Sequence, residues 1–258
     1  MHHHSSPDSS PLERSAQRRG LIVACAITLG IVAVQGVGAV MTGSLALLTD
    51  MVHSLTDSVG LIVAVIAASL MYSRATSRRT WGLRRMEVLA GLMQAALLAG
   101  IGIYAGIEGI QRLSDPVDVD HLPLAVFGAL GLAGNIASLM VLRAHRHSNF
   151  NLRAAFLEVL ADALGSVAVL VAAASIWLTG WAQADAVAAL LIAALIVPRA
   201  VVLLVETSRV LLELTPRGVD LEAVREHLRG VRHVEDVHDL HASTVATGLP
   251  IISAHVVL

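Results

Sequence analysis

TDMVHSLTD, residues 49–57, places Asp50, His53 and Asp57 inside a long apolar run. Spacings of three and four residues stack these side chains along one face of a helix. An ionisable group at the centre of a bilayer costs about 2.5–3.5 kcal/mol on insertion scales, so a cluster of them marks a site in use. FLEVLAD, residues 156–162, repeats the four-residue step with Glu158 and Asp162.

The rest of the chain supplies the membrane that this reading assumes. Hydrophobic residues make up 55% of the 258 and charged residues 15%, with a mean hydropathy of +0.72. A soluble domain carries nearer a quarter charged residues. Apolar segments at 21–41, 45–72, 88–113, 123–145, 152–178 and 185–212 are each long enough to cross ~30 Å of hydrocarbon at ~1.5 Å per residue. The expectation is an all-α polytopic membrane protein: a tail at 1–20, a six-helix transmembrane domain at 21–214, and a short α+β tail at 215–258. Cys25 stands alone, which excludes an internal disulfide and a metal–thiolate cluster. His2, His3 and His4 read either as a metal-scavenging run or as the remnant of a tag.

Arginine sets the orientation. Arg14, Arg18 and Arg19 precede the first segment; Arg74, Arg78, Arg79, Arg84 and Arg85 follow the second; Arg143, Arg146 and Arg153 flank the loop after the fourth. GSL, SDPVDVDHLP and TGWAQAD, the other three connections, contain neither Lys nor Arg. Positive loops stay inside, so both termini are expected in the cytoplasm of a multi-pass cell-membrane protein, with Trp177 and Trp181 at the outer interface. Gly102 and Gly106, and Gly128, Gly131 and Gly134, are spaced for close helix approach. Gln35, Gln94, Asn135 and Ser138 read as interhelical hydrogen-bonding groups before substrate contacts. Glu108 and Arg112 are spaced for an i,i+4 pair.

Internal symmetry joins the two polar islands. With VHSLTDSVG (52–60) set above LEVLADALG (157–165), His53 meets Glu158, Asp57 meets Asp162 and Gly60 meets Gly165. The islands lie three crossings apart and so run in opposite directions, an inverted arrangement that carriers place at the substrate site. Antiparallel packing sets His53 level with Asp162 and Asp57 level with Glu158. One imidazole and three carboxylates suit a divalent cation, and four donors fit tetrahedral zinc. The same groups must shed protons to bind metal, which is a route to metal/proton antiport. The plainer reading is a His53–Asp162 pair that only holds two helices together.

SLALLTDMVHSLTDS, WGLRRMEVLAG, SNFNLRAAFLEVLADALGSVAV and ETSRVLLELTP together resemble the cation diffusion facilitators, over most of the chain after residue 20. The resemblance implies His53, Asp57 and Asp162 as transport-site ligands, proton-coupled export from the cytoplasm, and a homodimer joined partly through a cytoplasmic C-terminal domain. Zinc-selective members usually read HxxxD in the fifth span, where this chain has Glu158. Carboxylate for imidazole hardens the site, so zinc is the first expectation, with cobalt, cadmium, manganese, iron or nickel as further substrates. Asp50 reads as part of the outer pathway rather than a ligand. His145 and His147 resemble a shortened form of the family's histidine-containing loop, and read equally as solvated loop residues.

The tail resembles the start of the family's αββαβ domain. Asp220 caps a short helix with Leu221, Val224 and Leu228 as its apolar stripe, and strands follow near 237–245 and 251–258. Paired strands would bring His238 near His255, and the family places regulatory ligands in this region; His238, Asp239, His241 and His255 are secondary candidates. The other partners expected are the lipid bilayer and protons, with no nucleic acid. An enzyme is not expected, since no HExxH or GxSxG string is present. The remaining alternative is a metal-binding membrane sensor or scaffold without transport.

Overall fold

The computed structural model describes residues 11–71, 83–143, 150–246 and 249–258, and of 11–22, 24, 60–71 and 150–155 only the backbone. The elements run α1 (Pro11–Thr42), α2 (Leu45–Met71), α3 (Arg85–Ser114), α4 (His121–Arg143), α5 (Phe150–Thr179), α6 (Ala184–Leu211), α7 (Leu221–Arg229), β1 (Asp236–Ala246) and β2 (Leu249–Val257). Among the described residues, five stretches are long and apolar enough to cross a membrane: Cys25–Thr42, Arg85–Ser114, His121–Arg143, Phe156–Thr179 and Ala184–Leu211. Their outward faces carry exposed Val40, Met93, Ile110, Met140 and Leu195, a surface that suits hydrocarbon and not water. The chain is a polytopic helical membrane protein.

α1 begins at Pro11, well before the expected span, so 11–20 is helix and not a loose tail. Proline suits a first helical turn, where its missing N–H costs nothing. His2–His4, Arg74, Arg78, Arg79, His145, Arg146 and His147 lie outside the described residues.

The chain forms two compact units, one of Met1–Ser58 with Leu98–Val197, the other of Val59–Leu97 with Pro198–Leu258. In the first, α4 packs between α1 and α5. Its glycine ladder permits this: a Cβ on Gly134 would press on Ile31, one on Gly131 on the Gln35 amide, and one on Gly128 on Val169 and Leu170. Gly102 leaves room for Val197, whereas Gly106 faces open space. α1 ends where Gly43 turns left-handed (φ 67°) and donates to the Ala39 carbonyl, and α5 ends the same way at Gly180 (φ 67°) on Ile176. Arg112 pairs with Glu108 at 2.9 Å, as the spacing predicts, and also donates to the Gly43 carbonyl at 2.8 Å.

In the second unit Asp220 caps α7 by accepting from the amides of Glu222 and Ala223. Leu221, Val224 and Leu228 are its half-buried stripe, and α7 packs on β1. β1 and β2 form an antiparallel pair that sets His238 opposite His255. Arg85 pairs with Glu213, and Arg217 with Glu206.

Candidate metal centre

α2 carries the first polar island, and most of it is satisfied on its own helix. The hydroxyls of Thr49, Thr56 and Ser58 donate to the carbonyls four residues back, Leu45, Val52 and Ser54. The ionisable groups reach across to other helices.

His53, Asp57 and Asp162 are buried, 6%, 7% and 2% exposed. His53 Nε2 stands 3.8 Å from Asp57 Oδ2, one turn along α2, and 3.8 Å from Asp162 Oδ1 on α5. One donor atom from each residue falls within 4.8 Å of the others. A tetrahedral ion with bonds of about 2.0–2.1 Å separates its ligand atoms by roughly 3.3 Å, so closure on a metal takes only small side-chain rotations. Among the described residues Asp162 Oδ1 accepts no hydrogen bond, which leaves a buried acceptor available to a cation. The His53–Asp162 approach is the one that the antiparallel alignment predicts.

Glu158 lies one turn before Asp162 on α5, half-buried, and is not among the donors gathered within that distance. Asp50 is also outside the trio. Its Oδ2 accepts from Gln35 Nε2 at 2.7 Å and from Ser166 Oγ at 3.2 Å, and Ser166 in turn accepts from Asn135 Nδ2 at 3.3 Å. Gln35 and Asn135 thus act as interhelical hydrogen-bonding groups, and Asp50 is the centre that they serve.

Asp185 has a role that spacing did not suggest. From the first turn of α6 it accepts from Ser44 Oγ and from the amides of Leu45 and Ala46, and Ser44 Oγ accepts from Leu47. Asp185 therefore caps α2 from a different helix, satisfying amides that would otherwise be orphaned. The only sequence signal was an acidic residue among small apolar ones at the start of a span.

A second cluster lies in the hairpin. His255 Nδ1 is 3.1 Å and His238 Nδ1 3.4 Å from Asp239 Oδ2, and the two imidazoles meet edge to face at 5.4 Å. All three are exposed, with donor atoms within 4.8 Å of one another. Asp239 sits in the left-handed region (φ 51°) where the register shifts between His238 and His241. Its carboxylate is held below the ordinary range by the hydrogen bond from His238 and by the positive fields of both histidines. His241 is paired with Ser253 beyond the shift and lines a cleft with Glu213 and Thr215 instead.

Comparison with known proteins identifies the family. The cation efflux transmembrane domain model matches residues 21–212. The metal cation efflux system protein CzcD of Cupriavidus metallidurans is 38% identical over 239 residues, covering 93% of this chain and 76% of that protein. The cadmium, cobalt and zinc/H(+)-K(+) antiporter of Bacillus subtilis is 32% identical over 245 residues, covering 94% and 79%. The zinc transporter ZitB of Escherichia coli K12 is 36% identical over 258 residues, covering 99% and 82%. With a matching membrane domain and a buried His/Asp cluster joining α2 to α5, this chain belongs to the cation diffusion facilitator family of cation efflux transporters.

Proposed function

We propose that the chain exports divalent metal cations, zinc first among them, from the cytoplasm in exchange for protons, using His53, Asp57 and Asp162 with Glu158 as a fourth donor. The observation that carries this is the buried trio, whose three donor atoms lie within 4.8 Å of one another, a spacing that suits an ion. Two carboxylates and an imidazole balance a divalent charge, and protons compete with metal for the same atoms, so loading one releases the other. Of the three relatives, one is named a metal cation efflux protein, one a cadmium, cobalt and zinc/H(+)-K(+) antiporter and one a zinc transporter, which supports zinc over harder cations.

Glu158 is one helical turn from Asp162, within reach of a rotamer change, and as a carboxylate it would widen the range toward cobalt, cadmium, manganese, iron or nickel. α2, a 27-residue helix, is read as the sixth span beside the five apolar ones. The arginine bias supports cytoplasmic termini. A homodimer is part of the same reading, as the family resemblance implies. In the tail, His238 and His255 with Asp239 are the favoured secondary ligands, and His241 is the weaker candidate.

The test is zinc uptake into proteoliposomes under an imposed pH gradient. Uptake that collapses with the gradient supports exchange. Tight zinc binding with no movement of any divalent cation would replace the carrier by the sensor reading.

A further inference from the structure

Four helices of the first unit meet at one carboxylate oxygen. Gln35 on α1, Asp50 on α2, Asn135 on α4 and Ser166 on α5 are each at most 1% exposed, and their hydrogen bonds converge on Asp50 Oδ2 directly or through Ser166. The glycines beside them are part of the arrangement. A side chain on Gly165 would overlap Asp50 Oδ1, and one on Gly131 would come within 2.7 Å of Gln35 Nε2 and 3.1 Å of Ser166 Oγ.

This cluster sits beside the metal trio without joining it. Asp50 precedes His53 by three residues on α2, about 4.5 Å along the axis, and Ser166 follows Asp162 by four on α5, about 6 Å. Both helices that supply ligands are therefore fastened to each other one turn away from the ligands. We propose that Asp50 is a positioning residue of the transport site: its carboxylate takes no metal, and through Gln35 and Ser166 it fixes the spacing of His53 and Asp57 against Asp162. This rests on the trio being the transport site. Metal geometry tolerates ligand errors of only about 0.2 Å, so a small slide of α2 along α5 changes both affinity and selectivity.

One detail separates positioning from a direct role. Both donors use Oδ2, and among the described residues Oδ1 has no hydrogen-bond partner; the Gln35 Oε1 is also without one there. Asparagine keeps one acceptor oxygen and replaces the other with an NH2 group. An amide therefore preserves the fastening while removing the charge, which neither a metal ligand nor a proton carrier would survive.

The experiment compares purified full-length wild type, Asp50→Asn, Asp50→Ala and Ser166→Ala by zinc affinity, using a competing fluorescent chelator, and by the visible absorption of bound cobalt. Asp50→Asn is expected within about threefold of wild type, with an unchanged cobalt band. Asp50→Ala is expected to lose about 10–100-fold in affinity, the range for outer partners of metal ligands, with a weaker and shifted band. Ser166→Ala, a single hydroxyl removed, should fall between them, and it carries the test should Asp50→Ala fail to fold. Asp50→Asn as weak as Asp50→Ala overturns the proposal, because the charge itself would then be required. Wild-type affinity in Ser166→Ala overturns it as well. Failure of wild type to bind zinc would strike the transport-site reading itself.

Discussion

His53 Nε2 and Asp162 Oδ1 face each other across 3.8 Å, from helices separated by most of the membrane domain's sequence. That gap is too long for a hydrogen bond and close to the separation of two ligands on one ion. Asp162→Ala and Asp57→Ala are expected to lower zinc flux by more than the ~100-fold upper end seen for supporting partners of a metal site. Size-exclusion profiles of both should match wild type. Transport surviving either change would remove the trio from the pathway.

Glu158 decides selectivity if it closes the site. Glu158→His replaces an oxygen donor with a softer nitrogen and removes one negative charge, so transport should narrow toward zinc and cadmium and fall for manganese. A panel of six divalent cations run on both proteins checks this. An unchanged order would place Glu158 outside the coordination sphere.

Gly165→Ala puts a methyl group into Asp50's carboxylate. Overpacking of this kind typically costs about 1–3 kcal/mol, so the melting temperature should drop while Gly106→Ala, which meets open space inside a helix, does not lower it. Equal melting temperatures for the two variants would contradict the packing described.

Asp185→Ala removes the cap on α2 and leaves the Leu45 and Ala46 amides without acceptors. Loss of a cap costs about 0.5–2 kcal/mol. Hydrogen exchange should speed up at residues 45–47 and stay unchanged at Gly180, whose cap is independent. Uniform acceleration along the chain would point to general destabilisation instead.

The hairpin should lose a contribution from Asp239 in acid. Its folded-state value is lowered from 3.8, so the stabilisation is complete above pH 3.8 and is lost as pH falls through the lower folded value. A carboxyl NMR titration of Asp239 should give a midpoint below 3.8, moving back up in His238→Ala. A midpoint at or above 3.8 in wild type would contradict the His238 contact.

Local rules made much of this legible in advance. Apolar length announced the spans, the three- and four-residue steps announced the shared face of His53 and Asp57, and Asp220 before Leu221 announced a cap. The opposed alignment even set His53 level with Asp162. What stayed hidden were meetings between distant residues with no shared period. Asp185 stands at the start of the sixth apolar segment, and nothing in its neighbourhood says that its partners are the amides of Leu45 and Ala46. Gln35 and Asn135 were legible as polar groups needing partners, but their convergence on Asp50 depends on Gly131 and Gly165 leaving space. Asp239 was legible as a candidate beside the tail histidines, but its meeting with His255 comes through a register shift that alternation along a strand does not foretell.

Asp185 fixes the start of α2 from another helix, and this gives α2 a fulcrum at Ser44. His53 lies nine residues from that point, about 13.5 Å along the axis. A swing of ~10° about the fulcrum would carry His53 through roughly 2.4 Å, more than a metal–ligand bond, while Asp57 travels farther still. Held by its tip, α2 would turn a modest tilt into a displacement of His53 larger than a metal–ligand bond.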